Sequence, residues 1–465
     1  MTDYEINAQK KALTLFHEVY ETSKAYRAFI DSHHINVKDI KDINDFQKIP
    51  IMDRYNYINK YPLEDRLYGN RKLEDSYMIS ASSGSTGEAT FWARDLMIDT
   101  YIEKVREKLY IEHFEIDTKK TLLVNAFALG SWTGGMLETK FAWSCSSKYK
   151  FTVVTPGMDK INVLSFIKKL YKFYDQVIIL AYPPFLTDFI DYAKQHNFSL
   201  KKAHVKINCT GERFSEKWRN HMVHNINDSK NRHDVIGFYA CSDTGIIGWE
   251  TKKTINVLEK ASNNPRLNLQ LFGNTDTPTF MTYDPQAKYL ECVNNEILIT
   301  ARQPIPLIRY NIHDRGGLIN TELMKRFNSQ LKLNNDDKEI NNHNFVYVFG
   351  RSDAILLAAN IYIEDIKYCL ENSRYYHKLT GNFKFGREET SDLRYRMRLI
   401  VLLKQKANIT LEERKIFKEE FYQHLRKVNN DFKLIQDSTK MKKILFEFKE
   451  DDPHRFRATK LKYFI

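Results

Sequence analysis

Short β-branched runs alternate with segments of helical period through the first 240 residues, and that alternation limits the fold more than any other feature of the chain. TLLVNAFAL, FTVVTP, QVIILAYP, VKINCTG and DVIGFYACS read as strands, rich in large apolar residues and closed by turn formers. Between them, INVLSFIKKLYKFYD and FSEKWRNHMVHNI carry apolar residues at helical spacing. Strand, helix, strand in repetition predicts an α/β fold of mostly parallel sheets covered by helices, with ligands at the carboxyl ends of the strands. Residues 255–295 lose the pattern and read as strands and loops of an antiparallel section. Residues 321–344 (TELMKRFNSQLKLNNDDKEINNHN) read as an exposed polar connection, and a domain boundary follows near residue 350. A large amino-terminal domain over 1–350 and a small α+β domain over 351–465 result. In the small domain RYRMRLIVLLK and KILFEF read as strands and LEERKIFKEEFYQHLRKV as a long helix.

The hexapeptide SSGSTG, Ser82 to Gly87, falls just after the apolar start YMISA. Glycines let a backbone approach a ligand, and successive N–H groups with Ser and Thr hydroxyls make a concavity for anions. A Walker A loop would go on to Gly-Lys-Ser/Thr, but Gly87 is followed by Glu88, Ala89 and Thr90, so the lysine that meets the phosphate charge is absent. Taken alone, the hexapeptide reads equally as a flexible Ser/Gly linker.

Composition narrows the function classes. With 42% hydrophobic and 13% aromatic residues over 465 positions the chain is globular, not disordered. It has no apolar run of 18 residues and starts without a signal-type segment, so it reads as soluble and cytoplasmic, with no membrane partner. Cys145, Cys209, Cys241, Cys292 and Cys369 form no C-x-x-C pair, which argues against a disulfide framework or zinc ribbon. The net charge of +12 is spread through a Lys-, Asn-, Ile- and Tyr-rich chain, so nucleic acid is not the expected partner. From Ala354 onward 24 Lys and Arg face 16 Asp and Glu. A small basic unit closing over an anionic ligand would use that excess; a solvated surface would tolerate it equally.

Four further stretches carry chemistry. Tyr239-Ala240-Cys241-Ser242-Asp243 ends a strand candidate, where a hydroxyl and a carboxylate suit a metal-bound phosphate. IPLIRYNIHDRGG brings Asp314 to the end of an apolar run, FVYVFGRSD sets Arg351 and Asp353 at the domain junction, and HRFRATKLKYFI brings Lys460 and Lys462 to the carboxyl end. In this order the stretches resemble the adenylate-forming superfamily of acyl-CoA synthetases, adenylation domains and luciferases. That superfamily reads SSGSTG, Tyr-Gly-x-Thr/Ser-Glu, Arg-Tyr-x-Thr-Gly-Asp, Gly-Arg-x-Asp and a final Ser/Thr-x-Lys. FALGSWTGG, Phe127 to Gly135, and KINCTGERFSEKWR are similar to segments of the phenylacetate-CoA ligase-like subfamily.

The resemblance implies an ATP-dependent, magnesium-dependent ligase that joins a small carboxylic acid, aryl or otherwise, to the α-phosphate of ATP. The acyl group then passes to CoA or another acceptor. Ser82, Ser83, Gly84, Ser85, Thr86 and Gly87 would hold the β and γ phosphates, and Ser242 would touch the α-phosphate. Gly211, Glu212, Tyr239, Ala240 and Cys241 would border the nucleotide, with Asp243 as magnesium ligand. Asp314 and Arg351 would bind the ribose hydroxyls, and Lys460 would meet the transition-state charge that the missing Walker lysine does not. Phe127, Trp132, Thr133, Gly134 and Tyr182 would line the acyl site, although plain core packing accounts equally well for any one aromatic residue.

Departures from the family pattern matter. Asp243 replaces a glutamate, Ala240 a glycine, and Ile312-His313 the usual Thr-Gly. The hinge GRSDAILLAANIYIEDI is shorter, with Ala359 where a glycine is usual, which puts the CoA half-reaction in doubt and leaves open an amine or protein acceptor, or a nucleotide-binding regulator without catalysis. His221, His224 and His233 have the spacing of a metal site but flank a polar turn. Cys241 as a nucleophile lacks an identifiable activating histidine and reads better as a packed small residue.

Overall fold

The protein is described from a computed structural model covering residues 3–69, 71–82, 90–130, 132–327, 331, 344–351, 354–356, 360–392, 395–404, 406–429, 432–433 and 444–450. Its contacts divide the chain into two units, Met1–Ser82 with Phe91–Ala181 and Ala193–Ser352, and Ser83–Thr90 with Tyr182–Tyr192 and Asp353–Ile465.

In the first unit β1 (Met78–Ser82) and β2 (Thr90–Arg94) pair as a two-stranded sheet. The strands β3 (Thr121–Asn125), β4 (Phe151–Val154), β5 (Gln176–Ala181), β6 (Val205–Cys209) and β7 (Val235–Cys241) are parallel, in the order β4-β3-β5-β6-β7. Every residue of β3 and β5 is buried. Parallel strands are stable only with both faces covered; the helix Leu96–Phe114 leads into β3, and Thr133–Ser146, Lys160–Leu170 and Glu216–Ile226 connect strands of the set. Side-chain oxygens of Asp95, Asp159 and Ser215 start three of these helices by accepting from the first free backbone N–H groups.

From β7 the sheet continues antiparallel through β8 (Gly245–Trp249), β9 (Thr279–Tyr283), β10 (Lys288–Val293), β11 (Glu296–Ala301), β12 (Leu307–Ile319) and β13 (Asn344–Arg351). Their spatial order is β8-β9-β13-β12-β11-β10, so eleven strands among the described residues share one sheet. Asn294 and Asn295, both left-handed at φ 52° and 63°, make the two-residue turn between β10 and β11 that suits the twist of a hairpin.

The antiparallel section differs from the sequence expectation in two places. Residues 252–272 form two helices, Lys252–Ser262 and Pro265–Phe272, instead of strands and loops. Thr251 makes a capping box with Thr254, Pro265 follows the Asn264 cap, and Ile255, Val257, Leu258 and Leu267 are buried, so local caps and one apolar face outweigh the β-branched content. Residues 321–326 form a further helix that buries Thr321 and Met324, where an exposed connection was expected.

The amino-terminal helices Asp3–Thr22 and Lys24–Ser32 bury Phe16, Tyr26 and Phe29 in the same core as Ile297, Ile299, Leu307 and Tyr310 of β11 and β12. After them Met52 bridges Tyr310 in parallel, with the Asn311 N–H donating to the Met52 carbonyl at 2.8 Å. The buried Arg309 guanidinium pairs with Glu291 and donates to the carbonyls of Gln47 and Ile49. These ties bring residues 53–55 to the first half of β12.

The second unit contains a hairpin of β14 (Ala354–Leu356) and β15 (Asn360–Tyr362), and a sheet in which β17 (Tyr395–Leu403) lies between β16 (Leu379–Glu389) and β18 (Leu445–Glu450). The helix Leu411–Val428 matches the segment read as a helix from sequence, begins with a Thr410–Glu413 capping box, and sets Phe417, Phe421 and Leu425 along one face. Phe417 and Phe421 meet Phe446 edge-on.

Candidate active site

Strand β7 leads into the turn Ser242-Asp243-Thr244, and its last residues face the middle of β12. Tyr239 donates to Asp314 Oδ2 at 2.6 Å, and Tyr310 donates to Asp243 Oδ2 at 2.6 Å. Each strand thus supplies a tyrosine and, four residues later, a carboxylate, and the two tyrosines cross to the other strand's carboxylate. Three strands separate β7 from β12 in the sheet, and four spacings of about 4.8 Å would hold their backbones ~19 Å apart. The side chains meet because the antiparallel half curls back over β8. Gln303, just before β12, seals the curl by donating to the Asp243 carbonyl at 2.7 Å, and Lys288 of β10 donates to the Ile246 carbonyl.

Arg351 stands directly opposite Asp314 in the β12–β13 ladder. Burial holds the Tyr239 phenol well above its ordinary pKa; the Asp314 carboxylate adds to this and Arg351 acts against it. Tyr239 therefore stays a protonated donor, with carboxylate and guanidinium both within electrostatic reach. Tyr239 is thus joined to Asp314 by a hydrogen bond and Arg351 faces Asp314 across the ladder, so three residues that the sequence reading placed around a nucleotide lie together.

His313 sits at φ 63°, the left-handed region where the family pattern has glycine, and its N–H donates to Asn311 Oδ1 at 2.7 Å. Its ring lies 3.6 Å from Asp53 Oδ2 and 3.9 Å from Glu296 Oε2. Burial raises the Asp53 pKa, but the bond to His313 and the backbone N–H of Asn56 outweigh it and leave the group below its ordinary value. Ala240, by contrast, is not left-handed, so a Cβ is tolerated where the pattern has glycine.

Asp243 has surroundings the sequence did not foretell. Tyr310 occupies Oδ2, the Arg54 guanidinium lies 3.5 Å from Oδ1, and both ion-pair side chains are largely buried at 15% and 9% exposure. Magnesium is the ion that the family resemblance implies here, and this donor set does not fit it: a phenol proton and a fixed cation already face the carboxylate. Among the described residues no group of three or more His, Cys, Asp or Glu side chains is arranged to hold a metal. His224 is exposed, and His233 meets Asn256 Oδ1 at 3.0 Å.

Gly211 is left-handed at φ 86° and Glu212 is buried beyond the end of β6, while Thr210 donates to the Phe238 carbonyl at 2.9 Å. Cys241 contacts Thr244 Oγ1 at 3.3 Å, and burial, then Asp243, pushes its thiol up to about 12, so it is a packed thiol and not an activated one. Phe127 is buried, and Trp132 bridges Ala81 of β1 at the start of the helix Thr133–Ser146. Thr133 Oγ1 donates to the Ala81 carbonyl at 3.4 Å, and Gly134 has no atom within 4 Å of an added Cβ. A Cβ on Gly135 would lie 2.2 Å from the Ala128 carbonyl oxygen, so that glycine is required for packing. Tyr182 belongs to the second unit, where its carbonyl accepts from the Leu186 N–H at 3.1 Å. Ser82 ends β1. Ser83, Gly84, Ser85, Thr86 and Gly87, together with Asp353, Lys460 and Lys462, lie outside the described residues.

Sequence reasoning missed Arg54, Asp53 and Gln303, which are remote in the chain from the motifs; Tyr310 lay inside a quoted motif but carried no role. No helix among the described residues is long and apolar enough to cross a membrane.

No protein-family model matches the chain, and no curated protein sequence matches it. Solved structures do. 2-Hydroxyisobutyryl-CoA ligase in complex with 2-HIB-AMP and CoA, in the thioesterification state, has a TM-score of 0.67 at 12% identity, covering 100% of this chain and 90% of that one. The same ligase in an open conformation gives 0.56 at 11% identity over 98% and 90%, and in the postadenylation state with R3-HIB-AMP 0.55 at 12% over 98% and 88%. At these identities the likeness is one of fold: this chain has the α/β fold of that CoA ligase.

Proposed function

We propose that this protein activates a small carboxylic acid with ATP, forming an acyl-adenylate and releasing pyrophosphate, and then passes the acyl group to CoA or another nucleophile. The observation that carries the reading is the meeting of Tyr239, Asp314 and Arg351 beyond strand β7. A carboxylate is the natural acceptor for two adjacent hydroxyls, and a neighbouring guanidinium donates to the same sugar. In this reading Ser82 to Gly87 hold the β and γ phosphates, Ser242 contacts the α-phosphate, and Gly211 and Glu212 border the nucleotide. Phe127, Trp132, Thr133, Gly134 and Tyr182 bound the acid, aryl or otherwise. Lys460 neutralises the charge that builds as carboxylate and α-phosphate approach. The fold shared with an acid–CoA ligase supports the reading.

The test is ATP–pyrophosphate exchange across a panel of aryl and aliphatic acids, with hydroxylamine trapping of the activated acyl group. Exchange with at least one acid is expected, and adding CoA then reads the acceptor. A chain that binds ATP yet exchanges pyrophosphate with no acid would be a regulator.

A further inference from the structure

The sequence reading made Asp243 a metal ligand; its surroundings point elsewhere. We infer that Arg54 is the resident cation of this site, with Asp243 as its counter-ion and as a positioning group for the turn 242–244, and that Asp243 does not ligate the metal ion accompanying ATP. The inference rests on the adenylation reading above.

Both carboxylate oxygens face donors, Oδ2 the Tyr310 phenol at 2.6 Å and Oδ1 the Arg54 guanidinium at 3.5 Å. Tyr310 is 1% exposed, and burial followed by the Asp243 charge keeps its phenol well above the ordinary range, so it is a permanent donor. A carboxylate already satisfied by a phenol and a guanidinium gains little from a divalent ion, and that ion would be repelled by the guanidinium beside it. Aspartate, one methylene shorter than the glutamate of the family pattern, also reaches less far from its strand. Arg54 is held in place from behind. Asp53 caps the helical turn Arg54–Ile58 by accepting from Asn56, and Met52 bridges Tyr310. The backbone of Asp243 is pinned separately by Gln303.

The test uses the full chain with a non-hydrolysable ATP analogue and Mn2+, read by electron paramagnetic resonance, together with thermal unfolding. In Asp243→Asn the Mn2+ affinity of the nucleotide complex is expected to stay within about threefold of wild type, because a group that is not a ligand carries no ligand energy. Arg54→Ala and Asp243→Asn should each lower the unfolding midpoint, and the double variant should fall no further than the worse single, since breaking a buried pair from either side strands the other charge. Tyr310→Phe frees Oδ2 and should leave Mn2+ affinity unchanged; it gives a second reading if Asp243→Asn does not fold. Weakening of Mn2+ binding by about tenfold or more in Asp243→Asn, tightening of similar size in Tyr310→Phe, or additive thermal losses would overturn the inference. Failure of the wild type to bind nucleotide would sink the adenylation reading and the metal half of this one, while the thermal cycle would still decide whether Arg54 and Asp243 form a pair.

Discussion

Tyr239 on β7 and Asp314 on β12 are joined by a 2.6 Å phenol-to-carboxylate hydrogen bond although three strands stand between them in the sheet. The bond exists because the antiparallel half of the sheet curls, and it fixes the orientation of the carboxylate. Preorganised acceptors of this kind bind without further ordering cost.

Asp314→Asn keeps an acceptor for Tyr239 but removes the charge. Hydrogen bonds to charged groups contribute roughly 1.5 to 3 kcal/mol each, so ATP affinity should fall at least about tenfold while the fold persists. Calorimetry with ATP checks this, and unchanged affinity would remove Asp314 from the nucleotide site.

Gly135→Ala should destabilise the first unit. The added Cβ would lie 2.2 Å from the Ala128 carbonyl oxygen, a backbone atom that has no rotamer to give way. Overpacking of this kind costs about 1 to 3 kcal/mol, and the unfolding midpoint should fall by several degrees. An unchanged midpoint would mean that the Ala128 turn relaxes freely.

Acid should weaken the fold through His113. Burial lowers its pKa from the ordinary 6.5 to about 4, the bond to the His233 carbonyl only partly opposing this. The unfolded chain therefore binds a proton that the folded chain refuses, and stability declines as pH falls from 6.5 toward 4, then levels off. The contribution is at most about 3 kcal/mol. Chemical denaturation of His113→Gln should show a shallower acid limb than wild type in that window; identical limbs would count against the histidine as the cause.

On the proposed function, in which the Lys460 charge acts only as the two anions approach, Lys460→Ala should slow adenylation by about 10²-fold while ATP and acid still bind. Lys462→Ala is the control, expected to retain most turnover. The reverse result would move the catalytic role to Lys462, two residues along.

The parallel half of the sheet was legible because its information is local. Each of β3 to β7 is an apolar run closed by turn residues, and the helices between them announce themselves by period and cap. The resemblance paired Asp314 with Arg351, and the two are partners in the β12–β13 ladder, whereas the bond from Tyr239 to Asp314 was no part of that reading. The helices over 252–272 fall largely within a stretch read as strands and loops; caps at Thr251 and Asn264 start them, and the apolar face that holds them shows only once it is buried. What the tertiary structure decided was the company each charge keeps. Arg54 meets Asp243 only because Met52 joins the ladder beside Tyr310, and the Tyr239–Asp314 and Tyr310–Asp243 bonds cross only because β10 to β13 curl over β8. Periodicity fixes which side of a strand a residue faces, but contacts between strands distant in the sheet depend on curvature, which is a sum of small twists that no single segment encodes.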